Sequence, residues 1–469
     1  MAYTDFYVQS AGNNANSGSS PTNTIAWQNA SVAWTGGSGG GGNNTFVVTD
    51  ATASAISVGD YINIGGGWVS QVTGVSNVGS VYTVVMSTTV AWGTEPATNA
   101  SIGAVDGGSF ANITGTIFTG STTVPSSTRI NIQAATYTTG ANLNIQLKGT
   151  TTAPVWFRGY NTTPGDLDNG STSLAYPLLS LGATFIFNML GGYVLWSGLS
   201  FSGNRSGAAV GSSTASPIRI RHCQFANTSS NSAATAFSAG VAVTTLVNCS
   251  FTTPSTANAI VSVSAGTEFI NCYFTGASSG STQVGIASGT TAAGLIMAGC
   301  TVTGTGSYGV NCTSTTGPVQ IINCTFNACG GDSIRFTTAM PGTGVLTMIA
   351  GCAFFKSGGY DINNSTGTNT ANVELAGNLS YSPTSGHLNG FGDWAELNAL
   401  VDSSDPRKSA TDLHLIPTSN GAGAGLPQQW EGQTAGLAST PDVGAWQRLA
   451  GGSSGPIAQI TGTRANVVF

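Results

Sequence analysis

Between residues 199 and 381 the apolar positions recur as a short repeated phrase, with no helical spacing. Six segments carry it: Arg221-His222-Cys223-Gln224-Phe225, Val247-Asn248-Cys249-Ser250-Phe251, Ile270-Asn271-Cys272-Tyr273-Phe274, Ala298-Gly299-Cys300-Thr301-Val302, Ile322-Asn323-Cys324-Thr325-Phe326 and Ala350-Gly351-Cys352-Ala353-Phe354. Cysteine and the bulky residue two places on share one face of a strand. The residue before cysteine is Asn or Gly in five copies, the types that enter the left-handed backbone region most cheaply. A bend is therefore predicted there, joined to an upstream strand with its own alternation, such as Val319 and Ile321. A third short strand follows a polar loop, as in Val284-Gly285-Ile286, Tyr308-Gly309-Val310 and Tyr360-Asp361-Ile362, the first copy being set at Gly240-Val241-Ala242-Val243.

The cysteines lie 26, 23, 28, 24 and 28 residues apart. Three short strands in a turn of about 25 residues describe a parallel β-helix, an all-β stacked architecture. Leu199 before the series and Leu379 after it are expected to occupy the cysteine slot in the end rungs. A column Leu199, Cys223, Cys249, Cys272, Cys300, Cys324, Cys352, Leu379 follows, about 34 Å long at ~4.8 Å per rung. The slot wants a small buried hydrophobe, and parallel stacked Cβ vectors disfavour disulfides. Cys312 and Cys329 are out of register and are expected in loops or on the outer face.

Around this array the pattern changes. Residues 1–45 hold one strand, Phe6-Tyr7-Val8-Gln9, and a glycine-rich connector at 36–42. Residues 46–102 alternate over longer runs separated by Gly, Asn and Ser, which predicts a small inserted antiparallel subdomain. The β-helix is expected over 103–384 and a C-terminal cap over 385–449. In the cap Trp394, Leu397, Leu400 and Val401 have helical spacing after a potential N-cap, Asp393. Residues 450–469 read as a linker and docking tail.

Composition narrows the function classes. Only 6% of residues are charged, with Lys+Arg 12 against Asp+Glu 18. No basic stripe exists to neutralise a phosphate backbone, so nucleic acid is not an expected partner. No apolar run is long enough for a membrane helix. The start, Met1-Ala2-Tyr3-Thr4-Asp5, has no signal-peptide pattern, so folding in a reducing cytoplasm is expected. No cofactor is expected: no phosphate loop, nucleophile motif or Cys/His metal spacing is present.

The phrases Phe6-Tyr7-Val8-Gln9-Ser10-Ala11-Gly12, Arg158-Gly159-Tyr160 through Pro164-Gly165-Asp166, the Asn-Cys-x-Phe rungs and Pro441-Asp442-Val443-Gly444-Ala445-Trp446 together resemble right-handed parallel β-helix proteins of the pectate-lyase-like superfamily. Within it the chain looks like bacteriophage virion components. That resemblance implies a structural spike, head fibre or capsid decoration protein of the virion. Its expected partners are other virion proteins, further copies of itself (a homotrimer) and a host-surface glycan. The alternatives are a tailspike-type polysaccharide depolymerase and a secreted bacterial adhesin.

Enzymes on such scaffolds cluster carboxylates and cations on one outward strand. Aligning Ile334 with Ile362 places Arg335 and Asp361 on one outer face, so Asp332, Arg335 and Asp361 are the catalytic candidates, with a surface ion pair as the plainer account. Asp166 and Asp168, in a Pro-Gly-Asp-x-Asp loop, are the candidates for Ca²⁺, with a plain turn as the default. Arg219, Arg221 and His222 form a third cluster, suited to an acidic sugar, a neighbouring subunit or solvent.

Overall fold

The computed structural model describes residues 2–9, the strands between 27 and 105, and most of 123–434. The glycine tract 36–42, the strand expected at 240–243, residues 393–395, the motif at 441–446 and the tail 450–469 lie outside the described residues.

Three 11-stranded parallel sheets wind around one core. The first runs from Thr4–Val8 through Thr128–Gln133, Val155–Tyr160, Val194–Ser197 and Ile218–Arg221 to Val373–Ala376. The second runs from Thr136–Thr138 to Leu379–Tyr381 and ends on Leu400–Val401. The third runs from Thr123–Val124 to Gly386–Asn389. One strand per sheet in each coil is the parallel β-helix that the repeat predicts.

The bend before each cysteine is left-handed throughout: φ is 52° at His222, 53° at Asn248, 51° at Asn271, 62° at Gly299, 49° at Asn323 and 63° at Gly351. A second left-handed column closes the second sheet, at Gly304, Ala328, Lys356 and Ser382. Between the bends, alternation delivers whole columns to the interior. Phe201, Phe225, Phe251 and Phe274 stack with centroids 5.2, 5.1 and 5.0 Å apart. Burying each such ring is worth about 1.5–3 kcal/mol.

The thiol column holds from Leu199 through Cys352 and corrects the reading at its end. Ala353 pairs with Leu379, so Asn378, not Leu379, takes the cysteine slot. Asn378 is fully buried; its Oδ1 accepts the Cys352 N–H at 2.9 Å and its Nδ2 donates to the Ile349 carbonyl at 3.0 Å. Leu379 faces outward into a small cluster with Phe355 and Leu415. Cys312 and Cys329 are also corrected: both are buried in the main core.

Two further expectations change. The Thr4–Val8 strand belongs to the helix, pairing in parallel with Thr128–Gln133. The inserted antiparallel sheet lies between these two strands and has seven strands, drawn from Trp27–Asn29 to Ile102–Val105. The α-helix expected around 393–401 is absent from its described part. Leu397 bridges Ala376 in parallel and Leu400–Val401 pairs with the second sheet. A stretch this short is a marginal helix, and an open sheet edge supplies backbone partners instead.

Candidate functional site

On the third sheet Val310, Ile334 and Ile362 are buried in the core, with Leu388 next in register. Their strand neighbours Asn311, Arg335, Asn363 and Asn389 form one row on the opposite face. Tyr308, Asp332 and Tyr360 border it. Asn389 Nδ2 donates to Asn363 Oδ1 at 3.0 Å, and Asn363 Nδ2 donates to Asp332 Oδ2 at 2.7 Å. Asp332 Oδ1 accepts the Tyr360 N–H at 2.8 Å. The Arg335 guanidinium lies 4.6 Å above the Tyr308 ring, with its Nε 4.0 Å from Asp332. In this strip Asn311 Oδ1 and Arg335 Nε, on neighbouring coils, are buried without a hydrogen-bond partner, although Arg335 Nε faces Asp332 across an ion pair. Such unspent groups are costly and call for an explanation.

Asp332 and Arg335 are thus brought together as expected, but Asp361 is not. Ile334 does pair with Ile362, yet the neighbour of Arg335 is Asn363. Strict alternation breaks at the corner that opens the strand Tyr360–Asn364, where Asp361 and Ile362 are both fully buried. Asp361 bonds Ser357, Ser380 and His387 instead. His387 in turn meets Glu396. These partners were not singled out in the sequence, although Gly386-His387-Leu388-Asn389 repeats the third-strand pattern of Tyr360-Asp361-Ile362.

The Asp166/Asp168 pair is occupied by protein groups. Asp166 accepts the backbone N–H groups of Asn161, Thr162 and Thr163 at 2.8, 2.8 and 3.1 Å. Partial burial pushes its carboxyl up, and these bonds overcome that to hold it below the usual range. Asp168 pairs with Arg158, whose Nε lies 3.0 Å away. Among the described residues no group of three or more His, Cys, Asp or Glu is arranged to hold a metal.

Arg219 and Arg221 lie exposed on adjacent outward rows of the first sheet. His222 beside them packs on Gly170, and burial, then Arg221, push its imidazole down to about 4. Nearer the N-terminus, Arg129 and Arg158 flank Trp156 at 5.4 and 5.0 Å, each fixed by an aspartate, Asp5 and Asp168. Arg129 fastens two neighbouring strands together, and Arg158 pins the loop after its own strand.

No family model matches the chain, and no curated protein matches it. Among solved structures it is similar to pectate lyase Pel9A, at 13% identity over 69% of this chain and 89% of that one, with a TM-score of 0.41. It is also similar to a mannuronic acid specific family 6 polysaccharide lyase from human gut microbiota, at 11% identity over 57% and 77%, TM-score 0.29. A third is the tailspike protein gp49 from Pseudomonas phage LKA1, at 14% identity over 81% and 66%, TM-score 0.22. The three parallel sheets with one strand each per coil make this chain, on its own structure, a parallel β-helix.

Proposed function

We propose that the chain is a β-helical spike or fibre protein of a bacteriophage particle that recognises a surface glycan through the third-sheet strip. The observation that carries this reading is the outward row of Asn311, Arg335, Asn363 and Asn389, amide and guanidinium side chains on successive coils in one register. Sugar hydroxyls both donate and accept, which matches a row of amides and a guanidinium repeated from coil to coil. The half-buried Tyr360 ring borders the row, and the Tyr308 ring holds the Arg335 guanidinium on one face. Binding without cleavage is favoured because both Asp332 oxygens are spent on Tyr360 and Asn363 and Asp361 points inside. On the first sheet, Glu268 and Glu374 share an outer row but sit four rungs, or ~19 Å, apart. That exceeds the separation of a working carboxylate pair, up to about 9.5 Å.

The test is glycan-array binding by the purified chain, followed by size analysis of each bound polysaccharide. Binding without shortening is expected, and Arg335→Ala or Asn311→Ala should weaken it at least tenfold, about 1.4 kcal/mol. Shortened product would favour the depolymerase alternative. Binding indifferent to both substitutions would remove the strip as the site. Placement on the particle is checked by immunogold microscopy of phage, where labelled spikes or fibres are expected.

A further inference from the structure

Where the coils end, the inward columns change chemistry. The thiol column finishes on Asn378, the phenyl column on Ser380 and the third-sheet corner on Asp361 and His387. The Phe354 ring meets the His387 ring edge-on at 6.0 Å. Asp361 is fully buried and the Glu396 side chain is 1% exposed. His387 Nδ1 is 2.9 Å from Asp361 Oδ2, and its Nε2 is 2.5 Å from Glu396 Oε2. With a carboxyl oxygen on each ring nitrogen, both contacts are hydrogen bonds only if the three groups share one proton beyond a neutral imidazole and two carboxylates, which an imidazolium supplies.

Among the described residues the remaining neighbours add donors and no second cation. Ser357 and Ser380 donate to Asp361 at 2.5 Å each, and the Asn378 N–H donates to Glu396 at 2.6 Å. Cys329, a thiol that burial raises to about 11, also faces Asp361. Asp332 sits across the same strand, on the Tyr360 N–H. The coil that brings His387 and Glu396 is seated on the core by Phe391 and Leu388 before Glu396, while beyond it Leu397 and Val401 are 65% and 63% exposed.

We propose that Asp361, His387 and Glu396 form a proton-held clasp, in which a single proton on His387 fastens the terminal coil over the end of the core and its loss releases that coil. Deprotonation leaves two buried carboxylates facing an uncharged ring, an arrangement whose desolvation is no longer offset. Burial pushes the His387 imidazole down, and the two carboxylates overcome this and carry it up to about 9. Because the folded value is raised, the contribution is complete below about 6.5 and fades as pH rises through about 9.

Pulse proteolysis of the full chain with an alkaline protease tests this, with cut sites mapped by mass spectrometry. Rates are normalised to an unstructured peptide cleaved in the same tube. Cleavage around 386–401 should rise at least tenfold between pH 7 and pH 10, while cleavage within 295–336 stays constant. His387→Gln should show the fast rate already at pH 7. Glu396→Gln, which keeps the shape and removes one charge, should shift the midpoint of release to lower pH. A terminal coil whose normalised rate ignores pH, or a Glu396→Gln midpoint equal to that of the wild type, overturns the proposal.

Discussion

The left-handed bend shows how much one residue type decides. At Asn248, Asn271, Gly299, Asn323 and Gly351 the sequence announces the bend because those residues tolerate positive φ. The second bend column was invisible, since Ala328, Lys356 and Ser382 adopt φ of 52–55° without belonging to that group. Their conformation is imposed by the ladder on either side: Ala328 N–H donates to the Phe355 carbonyl at 2.9 Å in the next coil, and Lys356 N–H to the Tyr381 carbonyl at 2.9 Å. An alanine held there carries strain of roughly 1–2 kcal/mol. Ala328→Gly should therefore stabilise the chain by about 1 kcal/mol, part of the relief being lost to the added freedom of the unfolded backbone. Urea unfolding at neutral pH measures it, and an unchanged or lowered midpoint contradicts it.

Strands and columns were the most legible level, because a period of two marks which side chains turn inward. The register of Cys223 through Cys352 and of the phenylalanine stack follows from that period alone. It fails where side chains stop being apolar. Leu379 looked like a member of the thiol column, yet one residue of slip put Asn378 in the slot and Ser380 under Phe354. Asp361 was misplaced for a related reason: a strand corner lets two consecutive residues face inward, which strict alternation forbids. The strip around Arg335 was half legible, since Asp332 and Arg335 were visible as charges in an uncharged array while Asn311 resembled any polar outer residue. Within the stack, Phe251 is fully buried between Phe225 and Phe274. Phe251→Ala should cost about 3–5 kcal/mol, since rings pinned on two neighbouring coils cannot collapse into the space. Thermal melting reads this as a large drop in midpoint, and a shift as small as that of an outward Thr252→Ala would contradict it.

At the scale of the molecule, the inward columns of the three sheets merge into one continuous buried core. All eight cysteines are free and buried. Burial raises the Cys312 thiol to about 12 and the Cys329 thiol to about 11. A water-soluble thiol reagent at pH 8 should therefore modify none of them in the native protein and all eight after denaturation. Rapid labelling of a column thiol in the native state would show that the coils breathe far more than their packing implies. Charge patterning said little about this level, because 6% charged residues leave few landmarks. Pairing the opening strand with one more than a hundred residues downstream was not readable either, since the insert hides the continuity.

That long-range pairing bears on the order in which the protein is made. Asp5 is held by Arg129, 124 residues further along the chain. During synthesis the first strand has no partner until the whole insert has left the ribosome, whereas each middle coil finds its neighbour within about thirty residues. Closing so large a loop is a slow step. The middle coils are accordingly expected to assemble before the strand Thr4–Val8 docks on Thr128–Gln133.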